Sequence, residues 1–392
     1  MEATAGAPER EHGLDALRVF AFAILIVYHS CLAYVSWPWI VNDSATARAL
    51  EPFLVAVNRW RLPLLFFVSG AAAAFSLRRR SPGAFAAERG TRLGLPLAVG
   101  TFLVCPPQTY LGQRAHGDPI SYLELYCSMY LPAPAGTMTW IHLWFVAYVL
   151  VFSIAGLPLL LAIRSAAGAR AIDAAVRRCG RWPPALYLMV VPSALVIALL
   201  GPRWPTTYNL VADWANLCGG LVFFLWGFAV ASSRAWLDLV TARRWELLAA
   251  GGGAAALFFL ARGTGVTSSW PPSVQLVFWG AVNAVYAVTW VLALVGHARV
   301  LFTRPAAWLR AANQAVYPFY ILHQTVTVAA VYVLLPWAAS AWVKLPVVTA
   351  ATFLGSWAGY EVIRRVRWLR PLFGLRPAAR ARDALGRASA SS

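Results

Sequence analysis

Residues 14–36 read LDALRVFAFAILIVYHSCLAYVS, an apolar run broken by a few ionisable side chains. A helix needs about 20 predominantly apolar residues to cross the hydrocarbon core of a bilayer, so this run predicts a transmembrane helix. Similar runs recur as far as residue 363, and 60% of the 392 residues are hydrophobic whereas only 12% are charged. Soluble domains carry about a quarter charged residues. The chain is therefore predicted to be an all-α, polytopic integral membrane protein.

The apolar runs predict about ten transmembrane helices in a single membrane domain that covers residues 1–392. The predicted spans are 14–36, 54–76, 92–107, 140–163, 185–201, 214–232, 245–261, 275–296, 312–335 and 343–363. A polar tail, residues 1–13, precedes the spans, and a basic tail, residues 364–392, follows them. The longest outer segment, residues 108–139, is predicted to be a loop.

Arginine predicts how these helices are oriented. Most of the 33 basic residues lie in the two tails and in every second segment between spans. The basic residues predicted on the opposite side are Arg48, Arg59, Arg61, Arg114, Arg203, Arg262 and Lys344. Because cytoplasmic loops are enriched in Lys and Arg, both termini are predicted to be cytoplasmic. The expected location is the bacterial inner membrane, in contact with its lipids.

The formal net charge of +18 is explained by this orientation, so no nucleic-acid partner is predicted. The five cysteines are scattered along the chain without a close pair, which predicts neither a disulfide framework nor a zinc site. Acidic residues are sparse at membrane depth, so no metal site is expected.

The first predicted helix carries two candidate functional residues, Arg18 and His29, because ionisable groups inside a span are costly. They lie eleven positions apart, which in an α-helix places them on one face and about 16 Å apart along its axis. Arg18 falls near the cytoplasmic interface and His29 beyond the middle of the membrane, so a molecule lying along that face would touch both. Two simpler interpretations are an Arg18 that reaches the headgroups and a His29 that makes a structural hydrogen bond between helices.

Three more arginines lie at the ends of predicted spans. Arg61 is at the outer end of the second helix, where an acceptor would arrive, although a simple interface anchor fits equally well. Arg89 and Arg92 are three residues apart at the inner mouth of the third helix and are expected to face one way. Two guanidiniums there would hold phosphates, but from spacing alone positive-inside anchoring is the stronger interpretation.

Two more histidines and one small-residue pair complete the candidates. His323 lies about 11 residues into the ninth helix, near the midplane, where it is placed to meet His29 across a bundle interior. His142 lies between Trp140 and Trp144, and this pattern favours a residue of the interfacial aromatic belt. The pair Ser69–Gly70 predicts close packing of the second helix against a neighbour.

These motifs, taken in order along nearly the whole chain, resemble those of the membrane-bound acyltransferase-3 family. The matching stretches are Arg18 with His29, Arg61 to Gly70, Arg89 with Arg92 and Pro96, His142 to Phe145, and Tyr317 to His323. The segment from Tyr34 to Asn42 is similar to the branch of that family that contains periplasmic glucan succinyltransferases.

The resemblance implies transfer of an acyl group, acetyl or succinyl, from cytoplasmic acyl-CoA to a hydroxyl of a periplasmic or cell-surface glycan or glycolipid. It implies that His29 is the general base or a transient acyl carrier, and that His323 is a second acid–base or orienting group. Acyl-CoA is the donor substrate, and no separate cofactor is implied. The implied substrate-binding residues are Arg18, Arg61, Arg89 and Arg92.

Two other classes of membrane protein compete with this O-acyltransferase hypothesis. A secondary transporter or flippase also has many helices with buried polar groups, and it often shows internal repeats. No convincing repeat relates the two halves of this sequence. A non-catalytic membrane scaffold would leave the two histidines at membrane depth, His29 and His323, unexplained. Acyl transfer is therefore the favoured function, with transport as the alternative.

Overall fold

The structure is a computed structural model that describes residues 11–130 and 140–376. Its α-helices are α1 (His12–Leu32), α2 (Glu51–Arg78), α3 (Pro82–Arg89), α4 (Leu95–Val99), α5 (Pro106–Ala115), α6 (Tyr122–Tyr130), α7 (Trp144–Ile154), α8 (Leu157–Arg164), α9 (Ala166–Arg181), α10 (Val190–Leu200), α11 (Trp214–Ser232), α12 (Arg234–Ala242), α13 (Arg244–Thr264), α14 (Pro272–Leu301), α15 (Ala307–Leu334), α16 (Ala341–Arg365) and α17 (Leu369–Leu372). The described residues contain no β-strand, so the all-α prediction is confirmed for them.

Shorter helical segments adjoin several of these helices. The 3-10 helices are Arg48–Leu50, Ile141–Leu143, Pro183–Met189 and Val266–Ser269, and the π-helical segments are Gly90–Gly94 and Gly100–Val104.

Seven helical segments among the described residues are long and apolar enough to cross a membrane. They are His12–Leu32, Arg48–Arg78, Pro183–Leu200, Trp214–Ser232, Arg244–Thr264, Pro272–Leu301 and Ala307–Leu334. The pair Ile141–Ile154 and Leu157–Arg164, bent by 55°, makes an eighth if it forms one span. Each coincides with a predicted run, which supports a multi-pass membrane protein. The full count of ten and the orientation of the termini stay predictions.

The two remaining predicted spans differ from a simple apolar helix. The run 92–107 is divided into α-helical and π-helical turns; Pro96 is the second residue of α4 and Pro106 the first of α5, each two residues after the end of a π segment. Proline has no N–H to donate and its ring crowds the preceding turn, so regular α-helical bonding is interrupted there. The run 343–363 lies within the single helix α16, which also carries Lys344 and Glu361.

The outer segment predicted as a loop is partly helical. Most of α5 and all of α6 fall within residues 108–139, of which residues 131–139 lie outside the described part. Local hydropathy misses these helices because they are short and carry mixed polar and aromatic side chains. The ends of the predicted tails, residues 1–10 and 377–392, also lie outside the described residues.

The chain forms two compact units, of which only the described residues are considered. The first comprises Met1–Tyr28, Ala47–Ala86 and Tyr148–Asn313, and the second comprises His29–Thr46, Ala87–Ala147 and Gln314–Ser392.

In the first unit, α2 packs directly against α11 through glycines. A Cβ at Gly70 would overlap the carbonyl oxygen of Phe224, and a Cβ at Gly227 would overlap that of Phe67. Small residues let two helix backbones approach closely, as is common in membrane proteins. The close packing predicted from Ser69–Gly70 is therefore confirmed.

In the second unit, two glycines of α16 pack against side chains of α15. A Cβ at Gly355 would lie 2.7 Å from Cγ1 of Val326, and one at Gly359 would lie 2.6 Å from Cδ1 of Leu322. A small apolar cluster of Tyr360, Ile363 and Leu375 closes the end of this packing. These contacts fix α15, the helix that carries His323.

Candidate active site

Two histidines meet in the second unit, His29 in the last turn of α1 and His323 in the middle of α15. Nδ1 of His29 lies 2.8 Å from Nε2 of His323, which is a hydrogen bond. The ring centroids are 5.0 Å apart and the ring planes differ by 19°, so the imidazoles lie edge to edge. The sequence-based prediction that these two side chains meet is confirmed.

A backbone carbonyl fixes the protonation of this pair. Nδ1 of His323 lies 2.7 Å from the carbonyl oxygen of Tyr320, and a carbonyl only accepts, so Nδ1 of His323 carries a proton. Neutral His323 then has no proton on Nε2, and that nitrogen accepts from Nδ1–H of His29. Neutral His29 consequently has its basic lone pair on Nε2. The order Tyr320 carbonyl, His323, His29 therefore assigns the proton-accepting nitrogen of His29.

The two imidazoles differ in exposure. His323 is 1% exposed, whereas His29 is half-buried. A buried second imidazole behind a more accessible first one is the arrangement by which catalytic bases are oriented in enzymes, where the buried group holds the tautomer of the other. The chemistry that this pair supports is removal of a proton by Nε2 of His29.

A third histidine, His142, supports the pair from the 3-10 helix Ile141–Leu143. Its Nε2 donates to the carbonyl oxygen of Ile321 at 3.0 Å, and its own carbonyl accepts from the Tyr320 hydroxyl. Its ring packs edge-on against that of His323, with centroids 5.3 Å apart. His142 is 6% exposed, so the predicted role in an exposed interfacial belt is wrong. It holds the stretch of α15 from which His323 projects.

Gln108 and Thr325 complete this polar layer. Nε2 of Gln108 lies 3.4 Å from Nδ1 of His142 and donates to Oγ1 of Thr325 at 2.7 Å. The Thr325 hydroxyl donates to the carbonyl oxygen of Val104 at 2.8 Å. Since Nε2 of His142 is the donor to Ile321, its Nδ1 accepts from Gln108. Both ring nitrogens of His142 thus form structural hydrogen bonds. Proton transfer is therefore assigned to His29 and His323.

The two arginines of the predicted phosphate site share a carboxylate. Nη1 of Arg92 lies 3.3 Å from Oε1 of Glu88, and Nε of Arg89 lies 3.8 Å from Oε2 of the same side chain. Arg89 is buried, while the Arg92 side chain is 40% exposed. The pair therefore does converge, as its spacing predicts, and it does so around an anionic group.

Arg18 and Arg61 belong to the first unit. Arg18 is half-buried on α1, three helical turns before His29. Arg61 is 3% exposed; its guanidinium lies over the Tyr28 ring at 3.9 Å, and Nη2 donates to Oδ1 of Asn58 at 3.3 Å. Such burial does not fit an arginine that anchors the chain in the headgroup region. Its role in binding stays a prediction.

Sequence patterns do not predict that His142 supports His323. They also do not predict that Gln108, Thr325 and Glu88 contact the candidate residues. The one available signal is the stretch from His142 to Phe145, which resembles a family motif. Gln108 and Thr325 are uncharged, so ionisability at membrane depth gives no signal for them. Among the described residues, no group of three or more His, Cys, Asp or Glu side chains is arranged to hold a metal ion.

Comparison with known proteins gives a consistent result. The profile of the acyltransferase-3 family, described as "Acyltransferase domain", matches residues 11–361. Glucans biosynthesis protein C of Shigella dysenteriae serotype 1 is 27% identical over 150 residues, which is 37% of each chain. Proteins of the same name from Salmonella schwarzengrund and Salmonella typhi are 25% identical over 152 residues, again 37% of each chain. The alignments thus span little more than a third of these relatives. No solved structure matches.

Proposed function

This chain belongs to the acyltransferase-3 family, and we propose that it moves an acetyl or succinyl group from cytoplasmic acyl-CoA to a hydroxyl of a periplasmic or cell-surface glycan or glycolipid. The family supports acyl transfer, and the name of its relatives points to a glucan as acceptor. The observation that carries the proposal is the ordered chain from the Tyr320 carbonyl through His323 to His29. Histidine relays also occur in proton-coupled transporters, so it is the family match together with the pair that favours acyl transfer over transport.

In the proposed reaction the acceptor oxygen attacks the thioester carbon. A C–O bond forms, the acceptor proton moves to Nε2 of His29, and the C–S bond then breaks. The thiol of coenzyme A leaves with a proton that His29 returns. His29 is the catalytic base, because an imidazole within reach of the hydroxyl combines the right geometry with a suitable basicity.

His323 acts on His29 as a positioning residue. When His29 accepts the second proton it becomes a cation, and its Nδ1–H bond to Nε2 of His323 strengthens because charge-assisted hydrogen bonds are stronger than neutral ones. The same bond keeps Nε2 of His29 aimed away from His323. The alternative in which His29 carries the acyl group needs the same nitrogen to be unprotonated, so both versions depend on this bond.

Arg89 and Arg92 are the proposed site for the phosphates of the donor. A guanidinium offers paired N–H donors that match phosphate oxygens. Glu88 holds both arginines before the donor arrives, and the phosphates then replace its carboxylate as their main counter-charge. Arg18, which belongs to the first unit, stays a sequence-based candidate for contact with the donor. Arg61 is retained as a residue for the acceptor.

The membrane arrangement belongs to the same proposal. Ten spans with both termini in the cytoplasm would place Arg89 and Arg92 at the inner face and His29 beyond the midplane. The distribution of arginine supports this orientation. Donor phosphates would then stay inside while the acyl group reaches an outer acceptor, in the bacterial inner membrane.

The proposal is tested with the full chain purified in detergent. Acetyl-CoA and succinyl-CoA are supplied in parallel, with and without a glucose oligosaccharide, and release of the free thiol is followed. Acceptor-stimulated release from one donor, together with an ester on the sugar seen by mass spectrometry, is the expected result. If neither donor loses its acyl group faster than it does without protein, the proposal is wrong.

A further inference from the structure

Trp39 lies beside the proposed catalytic base, on the segment that follows α1. Its indole and the His29 imidazole are nearly parallel, with planes 15° apart and ring centroids separated by 6.5 Å. Trp39 is half-buried. The imidazole already bonds to His323 through its Nδ1 edge. Trp39 is therefore a second, partly accessible neighbour of the same ring, and the mechanism described above does not use it.

Asn42 fixes the backbone that carries Trp39. Its Oδ1 accepts from the N–H of Trp39 at 2.8 Å, and its Nδ2 donates to the carbonyl oxygens of Trp37 at 3.0 Å and Leu32 at 3.4 Å. One side chain thus ties the last turn of α1 to the residues around Trp39. A segment bonded in this way presents its indole in one position next to the helix that carries His29.

A buried ion pair fixes the far end of the same segment. Nζ of Lys344 lies 2.7 Å from Oδ2 of Asp43, and these side chains are 2% and 0% exposed. Oδ1 of Asp43 accepts from the N–H of Ala45 at 2.8 Å. A buried ion pair adds little net stability, but it has few alternative partners and so specifies one arrangement. Lys344 is on α16, so the segment is fastened to the helix that packs on α15.

We propose that Trp39 is the platform on which the acceptor sugar ring stacks, and that it determines which hydroxyl reaches His29. The proposal rests on the proposed function. A pyranose presents C–H groups on its faces and hydroxyls at its rim, so a ring stacked on an indole directs a rim hydroxyl sideways. The indole lies beside the imidazole, with ring centroids 6.5 Å apart, so a rim hydroxyl of a sugar stacked on Trp39 comes close to His29.

A simpler role for Trp39 would be to hold the His29 ring in place. That task is already performed by α1 and by the bond from Nδ1 to His323. If Trp39 only held the base, its loss would slow every reaction of the acyl donor equally. If it is the acceptor platform, its loss weakens only the reaction with sugar.

The test compares two reactions of the purified full chain with the acyl-CoA that the protein uses. The first is transfer to a glucose oligosaccharide, and the second is hydrolysis of the donor by water without any sugar. We expect Trp39→Ala to raise the KM for the oligosaccharide about tenfold and to leave donor hydrolysis within about twofold. Trp39→Phe retains an aromatic face, so its KM for the oligosaccharide should lie between those of the wild type and Trp39→Ala. Trp37→Phe is the matched control, since the carbonyl of Trp37 rather than its indole joins the Asn42 network.

The results distinguish failure of the Trp39 proposal from failure of the proposed acyl transfer. Retained hydrolysis shows that Trp39→Ala is folded, so an unchanged KM for the sugar would overturn the platform. Equal loss of hydrolysis and transfer in both Trp39 variants would also overturn it and assign Trp39 to support of the base. Failure of the proposed function looks different, because the wild-type protein itself would then consume no donor in either reaction.

Discussion

His323 is the residue whose substitution separates orientation of the base from the base itself. His323→Ala removes the acceptor for Nδ1–H of His29 and leaves its tautomer unassigned. We expect the rate of acyl transfer at saturating substrates to fall by about 10²- to 10⁴-fold, with little change in the KM for the donor. His116→Ala is the control, because His116 is an exposed histidine bonded to the Gly112 carbonyl. Equal rates for His323→Ala and wild type would remove His323 from the mechanism.

Arg92 tests the proposed donor site, because its side chain is exposed enough to receive a phosphate. Arg92→Ala should raise the KM for acyl-CoA by about tenfold, the loss expected for one charge-assisted contact. Added salt should raise the wild-type KM in the same direction, since it screens exposed charges. Arg79→Ala, at an exposed arginine after α2, should leave the KM unchanged. A KM that responds equally to both substitutions would indicate only general attraction by a basic face.

Gln108 is one of the residues of the site that the sequence alone does not predict. Ionisable residues at membrane depth stand out in a sequence, so hydropathy and spacing are enough to predict that His29 and His323 meet. Gln108 and Thr325 are neutral, and the bond from His142 to the Ile321 carbonyl joins residues far apart in the chain. His142 stands between tryptophans, and that local pattern favours a belt residue. Only the packing of α15 against the 3-10 helix Ile141–Leu143 reveals its support of His323.

The close packing of α2 against α11 depends on glycine. An added Cβ should therefore destabilise the protein at Gly70 but not at a glycine with open space around it. Gly70→Ala places a Cβ on the carbonyl oxygen of Phe224, so the helices must separate. We expect a lower melting temperature, with a loss of about 1–3 kcal/mol typical of overpacking. Gly252→Ala in α13 meets no atom within 4 Å and should be neutral or stabilising. A Gly70→Ala protein as stable as the wild type would contradict the close packing of α2 and α11.

The ion pair between Asp43 and Lys344 is the electrostatic element that fastens the segment after α1 to α16. Lys344→Met leaves the Asp43 carboxylate buried without its partner, which typically costs about 3–5 kcal/mol. The double substitution Asp43→Asn with Lys344→Met removes both charges and should recover part of that loss. Thermal unfolding in detergent measures the stability of the single and the double variant. A single variant as stable as the wild type would show that the pair is not enclosed by the surrounding helices.

The helices themselves are predictable to different degrees. Long apolar runs such as 214–232 match their observed helices closely, because burial in lipid is recorded in local hydropathy. The run 92–107 is predicted as one span, but proline and glycine divide it into alternating α-helical and π-helical turns. Helices α5 and α6 escape prediction because neither is long or apolar enough to stand out.

The orientation of the whole molecule in the membrane is predicted from the distribution of arginine alone. A reporter fused after Arg80 should appear in the cytoplasm, because that segment is rich in arginine. A second reporter fused after Arg203 should appear outside. The pair is scored by accessibility to a membrane-impermeant reagent in whole cells. A periplasmic reporter after Arg80 would contradict the orientation and with it the inner position of Arg89 and Arg92.

In the proposed reaction His29, oriented by His323, catalyses transfer of an acyl group from acyl-CoA on one side of the membrane to a glycan on the other. The most direct measurement supplies acyl-CoA labelled in its acyl group to inverted membrane vesicles and follows label on the enclosed glycan. We expect label with the wild-type protein and with His116→Ala, and a loss of label in His29→Ala to the level of vesicles without the protein. Label transferred equally by His29→Ala and wild type would show that His29 does not catalyse the reaction.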